Sequence, residues 1–183
     1  NFTGFSGSFN SQSRTIYGDL TLSATMTWGA GTDTTTFGGT SGTSTITTNG
    51  ITLDAVVVFS AVGKTWTLGS DLTVNPARIF RLINGTLDAG TKNVSIGTFS
   101  LNVGTKTLSL GSGTWTVSGT SWDAATNGSN FTVSASTATI KMTSASSKTF
   151  AGNGKSWPVL DQAGSGALVI RSPGIISASS RSG

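Results

Sequence analysis

Histidine and cysteine are absent from this 183-residue chain, and all seven acidic residues are aspartate, so glutamate is missing too. These absences exclude thiol nucleophiles, imidazole bases, disulfides and His/Cys metal sites, the groups on which most enzyme mechanisms rest. Charge of either sign is scarce: 10% of residues are charged, against roughly 25% in an average soluble protein. Hydroxyls and backbone must therefore keep the surface wet. No catalytic residue, cofactor or metal is expected, and the chain reads as non-enzymatic.

A formal charge of +4 and a pI near 9.9 raise nucleic acid as a partner. The eleven cations are scattered, however, so no basic patch forms and no nucleic-acid contact is expected. The longest apolar run, Ala55 to Phe59, falls far short of the ~20 residues of a spanning helix, and no membrane segment is read. Asn1 follows no Met or charged-then-apolar leader, which reads as a processed chain or a fragment.

What is abundant is period-two alternation. Asp19-Leu20-Thr21-Leu22, Ser44-Thr45-Ile46-Thr47, Lys64-Thr65-Trp66-Thr67-Leu68, Thr114-Trp115-Thr116-Val117 and Asn130-Phe131-Thr132-Val133 each put one row of side chains inward and one outward. Gly and Asn breaks at Gly38-Gly39, Asn49-Gly50, Asn84-Gly85, Asn127-Gly128 and Asn153-Gly154 supply the positive φ of tight turns. The fold class is all-β. A single helical turn over Pro76 to Arg81 is the most that is expected.

Self-similarity selects the architecture. Lys64-Thr65-Trp66, Lys106-Thr107-Leu108 and Lys148-Thr149-Phe150 recur at a spacing of 42 residues, which divides into two coils of about 21. Equivalent lysines on adjacent coils would lie only about 5 Å apart and repel. A right-handed parallel β-helix follows, a solenoid with about 21 residues per coil. Its expected columns are Trp66, Leu108 and Phe150; Leu68 and Leu110; and Leu72, Trp115 and Trp157. A β-sandwich or jelly roll is the alternative. The single domain covers 1–183, with a docking or capping segment at 1–28, the clearest repeats at 51–160 and a tail at 171–183.

The stretch from Ser146 to Trp157, Ser-Ser-Lys-Thr-Phe-Ala-Gly-Asn-Gly-Lys-Ser-Trp, resembles Ser-Lys-Thr-Phe-x-Gly-x-Gly-Lys-Thr-aromatic segments of repetitive β-helices in bacteriophage virion and tail proteins and in some secreted bacterial proteins. The close match spans about fifteen residues, and a looser one the repeats from Ile51 to Leu160. Those segments commonly continue with Asn-Asn-Leu; here Pro158-Val159-Leu160 follows, and strand pairing is expected to end there. The resemblance implies a virion or extracellular location and a structural role in a tail, a fibre or a capsid decoration.

Candidate contacts come from the aromatics. Trp66, Trp115 and Trp157 belong to the columns and read as core, whereas Trp28 and Trp122 fall off them and are candidate glycan platforms. That placement supports the alternative function, a carbohydrate-binding adhesin segment of a secreted or surface protein. Thr-x-Thr pairs raise ice binding, but along the 42-residue register Thr67 becomes Ser109 and then Ala151, and the ladder decays. Asp54 and Asp88, each after Thr-Leu, are expected to close corners by accepting backbone N–H. Neither end shows a charged cap. Phe2, Phe5 and Phe9 near one end, and Ile175 and Ile176 near the other, suggest docking edges. The expected partners are further copies of the chain, a trimer first, or other virion proteins.

Overall fold

The computed structural model describes residues 1–134, 136–172, 174 and 176–178. Among them there is no helix, and the strands stack in parallel into a β-solenoid of about 7 turns, roughly 22 residues apart. Parallel neighbours joined by whole coils exclude the sandwich, whose adjacent strands run antiparallel. Pro76 and Ala77 sit in a hydrogen-bonded turn closed from Arg78 N to Asn75 O (2.9 Å), and a strand starts at Ile79. The one place that could hold a helical turn is thus a single hydrogen-bonded turn leading into a strand.

Each full coil contributes to three faces. The first face stacks Arg14–Ile16, Thr34–Phe37, the leading halves of Val56–Leu68 and Ile79–Asp88, then Thr98–Leu101, Ser121–Asp123, Lys148–Ala151 and Leu168–Arg171. The second face continues the trailing halves of the same two long strands, between Leu20–Thr21 and Gly42–Thr47 before them and Lys106–Ser109 and Phe131–Ser134 after them. The third face runs from Thr52–Leu53 through Leu72–Val74, Val94–Ile96, Thr114–Val117, Thr139–Met142 and Trp157–Gln162 to Ile176–Ala178.

Period-two alternation sends one residue in two inward, and stacking converts those residues into columns. On the first face Val57, Phe80, Phe99, Trp122 and Phe150 lie in register, with ring centroids 4.2 Å apart for Phe99 and Trp122 and 6.1 Å for Trp122 and Phe150. Phe37 and Phe59 stack beside them at 4.9 Å. Trp115 and Trp157 reach across from the third face to meet Trp122 edge-on at 5.9 and 5.6 Å. Burial of each such ring stabilises the fold by roughly 1.5–3 kcal/mol, with a further 0.5–1.5 for good aromatic geometry.

The 42-residue register holds for two of its three members. Trp66 and Leu108 share a column with Leu87 between them, and Leu72 and Trp115 share one with Val94 between them. Phe150 and Trp157 do not continue these columns; Val133 follows Leu108, and Ile140 and Leu160 follow Trp115. The physical reason is one wide coil. Trp122 meets Phe150, 28 residues on, so the third Lys-Thr-aromatic triplet moves to the first face. Pairing also persists through Pro158: the strand Trp157–Gln162 bonds neighbours on both sides, with a register shift between Trp157 and Val159. The ring is absorbed as a local irregularity.

The corner between the first and second faces depends on Gly85, at φ +86, where a Cβ would lie 2.5 Å from Ala61 O and 2.7 Å from Lys64 O. Both the backbone conformation and the approach of the preceding coil require glycine. Gly85→Ala is expected to lower stability by about 2–3 kcal/mol as read by urea denaturation, whereas Gly90→Ala, with open space around its Cβ, should cost less.

Candidate functional site

Inward phase governs polar residues as well as apolar ones. Lys106 and Lys148 have the same parity as Leu108 and Phe150, and both are 1% exposed. Lys106 Nζ donates to the carbonyls of Asn102, Gly104, Asn127 and Ser129 at 2.7–3.1 Å. Lys148 Nζ donates to those of Ser144, Gly164 and Gly166. Each ammonium thus ties a corner of its own coil to the next, satisfying carbonyls that the turns leave without strand partners. Burial pulls the Lys106 ammonium below the ordinary lysine value, and the carbonyl cage offsets part of that cost. These lysines are structural clamps.

Carboxylates do the same work at the surface. Asp88 accepts the Gly90 N–H at 3.0 Å, Asp123 those of Ala125 and Thr126 at 3.0 and 2.9 Å, and Asp19 that of Thr45 at 2.7 Å. Asp71 takes both the backbone N–H and the side-chain amide of Asn93, the main reasons its carboxyl lies below the usual range. Asp88 therefore closes its corner as expected. Asp54 instead pairs with Arg78 Nε at 2.7 Å. Among the described residues no group of three acidic side chains is placed to hold a metal ion.

The candidate glycan platforms are corrected by their burial. Trp122 is 0% exposed, stacked between Phe99 and Phe150, and Trp28 is 6% exposed. Neither presents a face to a sugar. Both have the inward parity of their strands, a signal the misaligned 42-residue columns concealed. Trp66, Trp115 and Trp157 are buried as expected.

Phe2, Phe5 and Phe9 form one aromatic group with Trp28. Centroids lie 6.1 Å apart for Phe2 and Phe5 and 5.0 Å for Phe2 and Phe9 and for Phe9 and Trp28. The segment is part of the solenoid itself, because Ser8–Phe9 pairs with Thr27–Trp28 and Phe2 N–H donates to Thr21 O at 2.7 Å. Phe2 and Phe9 pack against the core, and Phe5 is 41% exposed. Arg14 lies over the group, its Cζ 4.1 Å from the Phe9 ring centre and 4.8 Å from that of Trp28. The expectation that this end carries no charged cap is thereby overturned: a guanidinium covers the rings through cation–π contact. Burial lowers the Arg14 pKa, with Asp33 opposing. At the other end Ile176 pairs with Trp157, and Ile175 lies outside the described residues.

Thr67 stands in register with Thr45, Asp88, Ser109 and Ser134, so that row does lose its threonines. The adjacent outward row does not. Thr43, Thr65, Thr86, Thr107 and Thr132 follow one another on five successive coils, a regularity visible only when every coil is counted. β-Branched side chains suit a pleated surface, and this preference accounts for the row.

Fold and surface together define a charge-poor β-solenoid. No family model, curated protein or solved structure matches the chain.

Removing one clamp tests its contribution. Lys106→Met should destabilise the protein by about 2–4 kcal/mol, because buried carbonyls lose their donor. Lys141→Met, on an outward position of the third face, should stay within about 0.5 kcal/mol. Equal urea midpoints for the two variants would refute the clamp.

Proposed function

We propose that this protein is a non-enzymatic structural component of a phage particle, in a tail, a fibre or a capsid decoration, where it provides rigid reach and subunit contacts. The observation that carries this reading is the coil-on-coil stacking, in which backbone hydrogen bonds, aromatic columns and caged lysines all link one coil to the next. Such a rod resists bending and leaves little unpaired backbone for proteases. The resemblance of Ser146 to Trp157 to virion β-helical segments adds the setting, a virion or extracellular one. The adhesin reading loses its basis in the two tryptophans, since both are buried.

Exposed apolar residues support a contact role. Tyr17, Val62 and Val103, each about 70% exposed, all sit at the corner between the first and second faces on alternate coils. They offer a ridge, and Phe5, beside Thr25, a separate apolar contact, suited to another copy of the chain, a trimer first, or to another virion protein.

Two measurements test the proposal. Mass spectrometry of purified particles should find the protein at stoichiometric levels; its presence only in the soluble fraction of a lysate would count against a virion role. Sedimentation velocity should show oligomers that dissociate on Phe5→Ser combined with Val62→Ser and Val103→Ser. A stable, non-aggregating monomer of the unsubstituted chain would overturn the contact proposal.

A further inference from the structure

The outer surface of the first face carries a notch lined by both charged and small apolar side chains. Asp123, Ala151 and Arg171 lie in register on three successive coils, and Ser121 and Thr149 lie in register beside them. The small Ala151 side chain leaves a depression between the carboxylate and the guanidinium. Thr126, on the loop of the wide coil, forms one wall, and the cavity has a volume of about 400 Å³.

Its electrostatics are divided. Two coil spacings put the Asp123 and Arg171 backbones roughly 10 Å apart, and the two side chains form no ion pair, in contrast to Asp54 and Arg78. Asp123 is held in place because Oδ1 accepts the N–H groups of Ala125 and Thr126. Its other oxygen has no partner among the described residues and remains an acceptor. Arg171 is exposed and offers a planar fork of donors. The hydroxyl-bearing Ser121 and Thr149 line the neighbouring outward row, alongside Asp123 and Ala151.

We propose that this notch binds one carboxylate-bearing sugar unit of an acidic glycan. Arg171 takes the carboxylate in a two-pronged hydrogen bond, Asp123 accepts hydroxyls from the far side of the ring, and Ser121 and Thr149 contact the remaining hydroxyls. The chemistry selects this class over others. Asp123 supplies an acceptor that sugar hydroxyls use and a bare phosphate does not, and beside its polar groups the notch is lined only by the small Ala125 and Ala151, with no aromatic or long aliphatic side chain for a peptide. The site uses none of the ridge residues, so it goes beyond a purely structural role and does not depend on that role.

The test is calorimetric titration of the full chain with short oligomers of galacturonate, glucuronate and mannuronate, alongside the methyl ester of whichever oligomer binds. The ester keeps the hydroxyls and removes the charge. Expected are saturable binding of at least one acid, about tenfold or greater weakening for its ester, and a similar loss with Arg171→Gln. Asp123→Asn keeps the acceptor for the loop N–H groups and should weaken the acid and the ester alike. Circular dichroism confirms that each variant is folded. No binding of any of the three acids, equal affinity for acid and ester, or unchanged binding by a folded Arg171→Gln variant would overturn the proposal. Binding of inorganic sulfate as tight as that of the sugar acid would also overturn it, by reducing the notch to a simple anion site.

Discussion

Register between successive coils is the constraint on which everything else in this protein depends. A parallel strand that slips by one residue turns every inward side chain outward, so the aromatic columns, the caged lysines and the outward threonines all stand or fall together. Phe99 over Trp122, with centroids at 4.2 Å, is possible only because their strands pair residue for residue. The same pairing places the Asn127 and Ser129 carbonyls of the next coil around Lys106.

Charge is used sparingly, and two lysines and four aspartates hold corners. Loops between faces leave carbonyls and N–H groups without ladder partners, and each needs one. Lysines approach from the inside to satisfy carbonyls; aspartates approach from the outside to satisfy N–H groups. In a chain with so few ionic groups, this division leaves large stretches of face to hydroxyls. Arg171, exposed two coils from Asp123 at the notch, Arg14, stacked on the N-terminal rings, and the Asp54–Arg78 pair are used elsewhere.

The wide coil after Trp122 is the main break in an otherwise regular stack. It shifts the third Lys-Thr-aromatic triplet from the second face to the first, and it supplies the loop that walls the notch. A purely periodic solenoid would have neither feature. The irregular coil thus contributes the Thr126 wall of the notch.

Fold class was legible in the residues themselves, because alternation and Gly/Asn punctuation act over a few positions and mean the same thing in any context. The solenoid and its coil length also followed, from a repeat that persisted through Lys64 and Lys106. What local pattern could not decide was which coil meets which, since that depends on the lengths of loops whose residues look alike. Trp122 therefore looked free of the columns when it lies at their centre. The Thr43-to-Thr132 row went unseen for a related reason: a 42-residue step passes over alternate coils. Lys106 and Lys148 shared the inward parity of their neighbours, yet only the fold could show that turn carbonyls converge on them. Composition and periodicity determined that the chain stacks; the tertiary structure decided the register, because register is settled by contacts between residues some twenty positions apart.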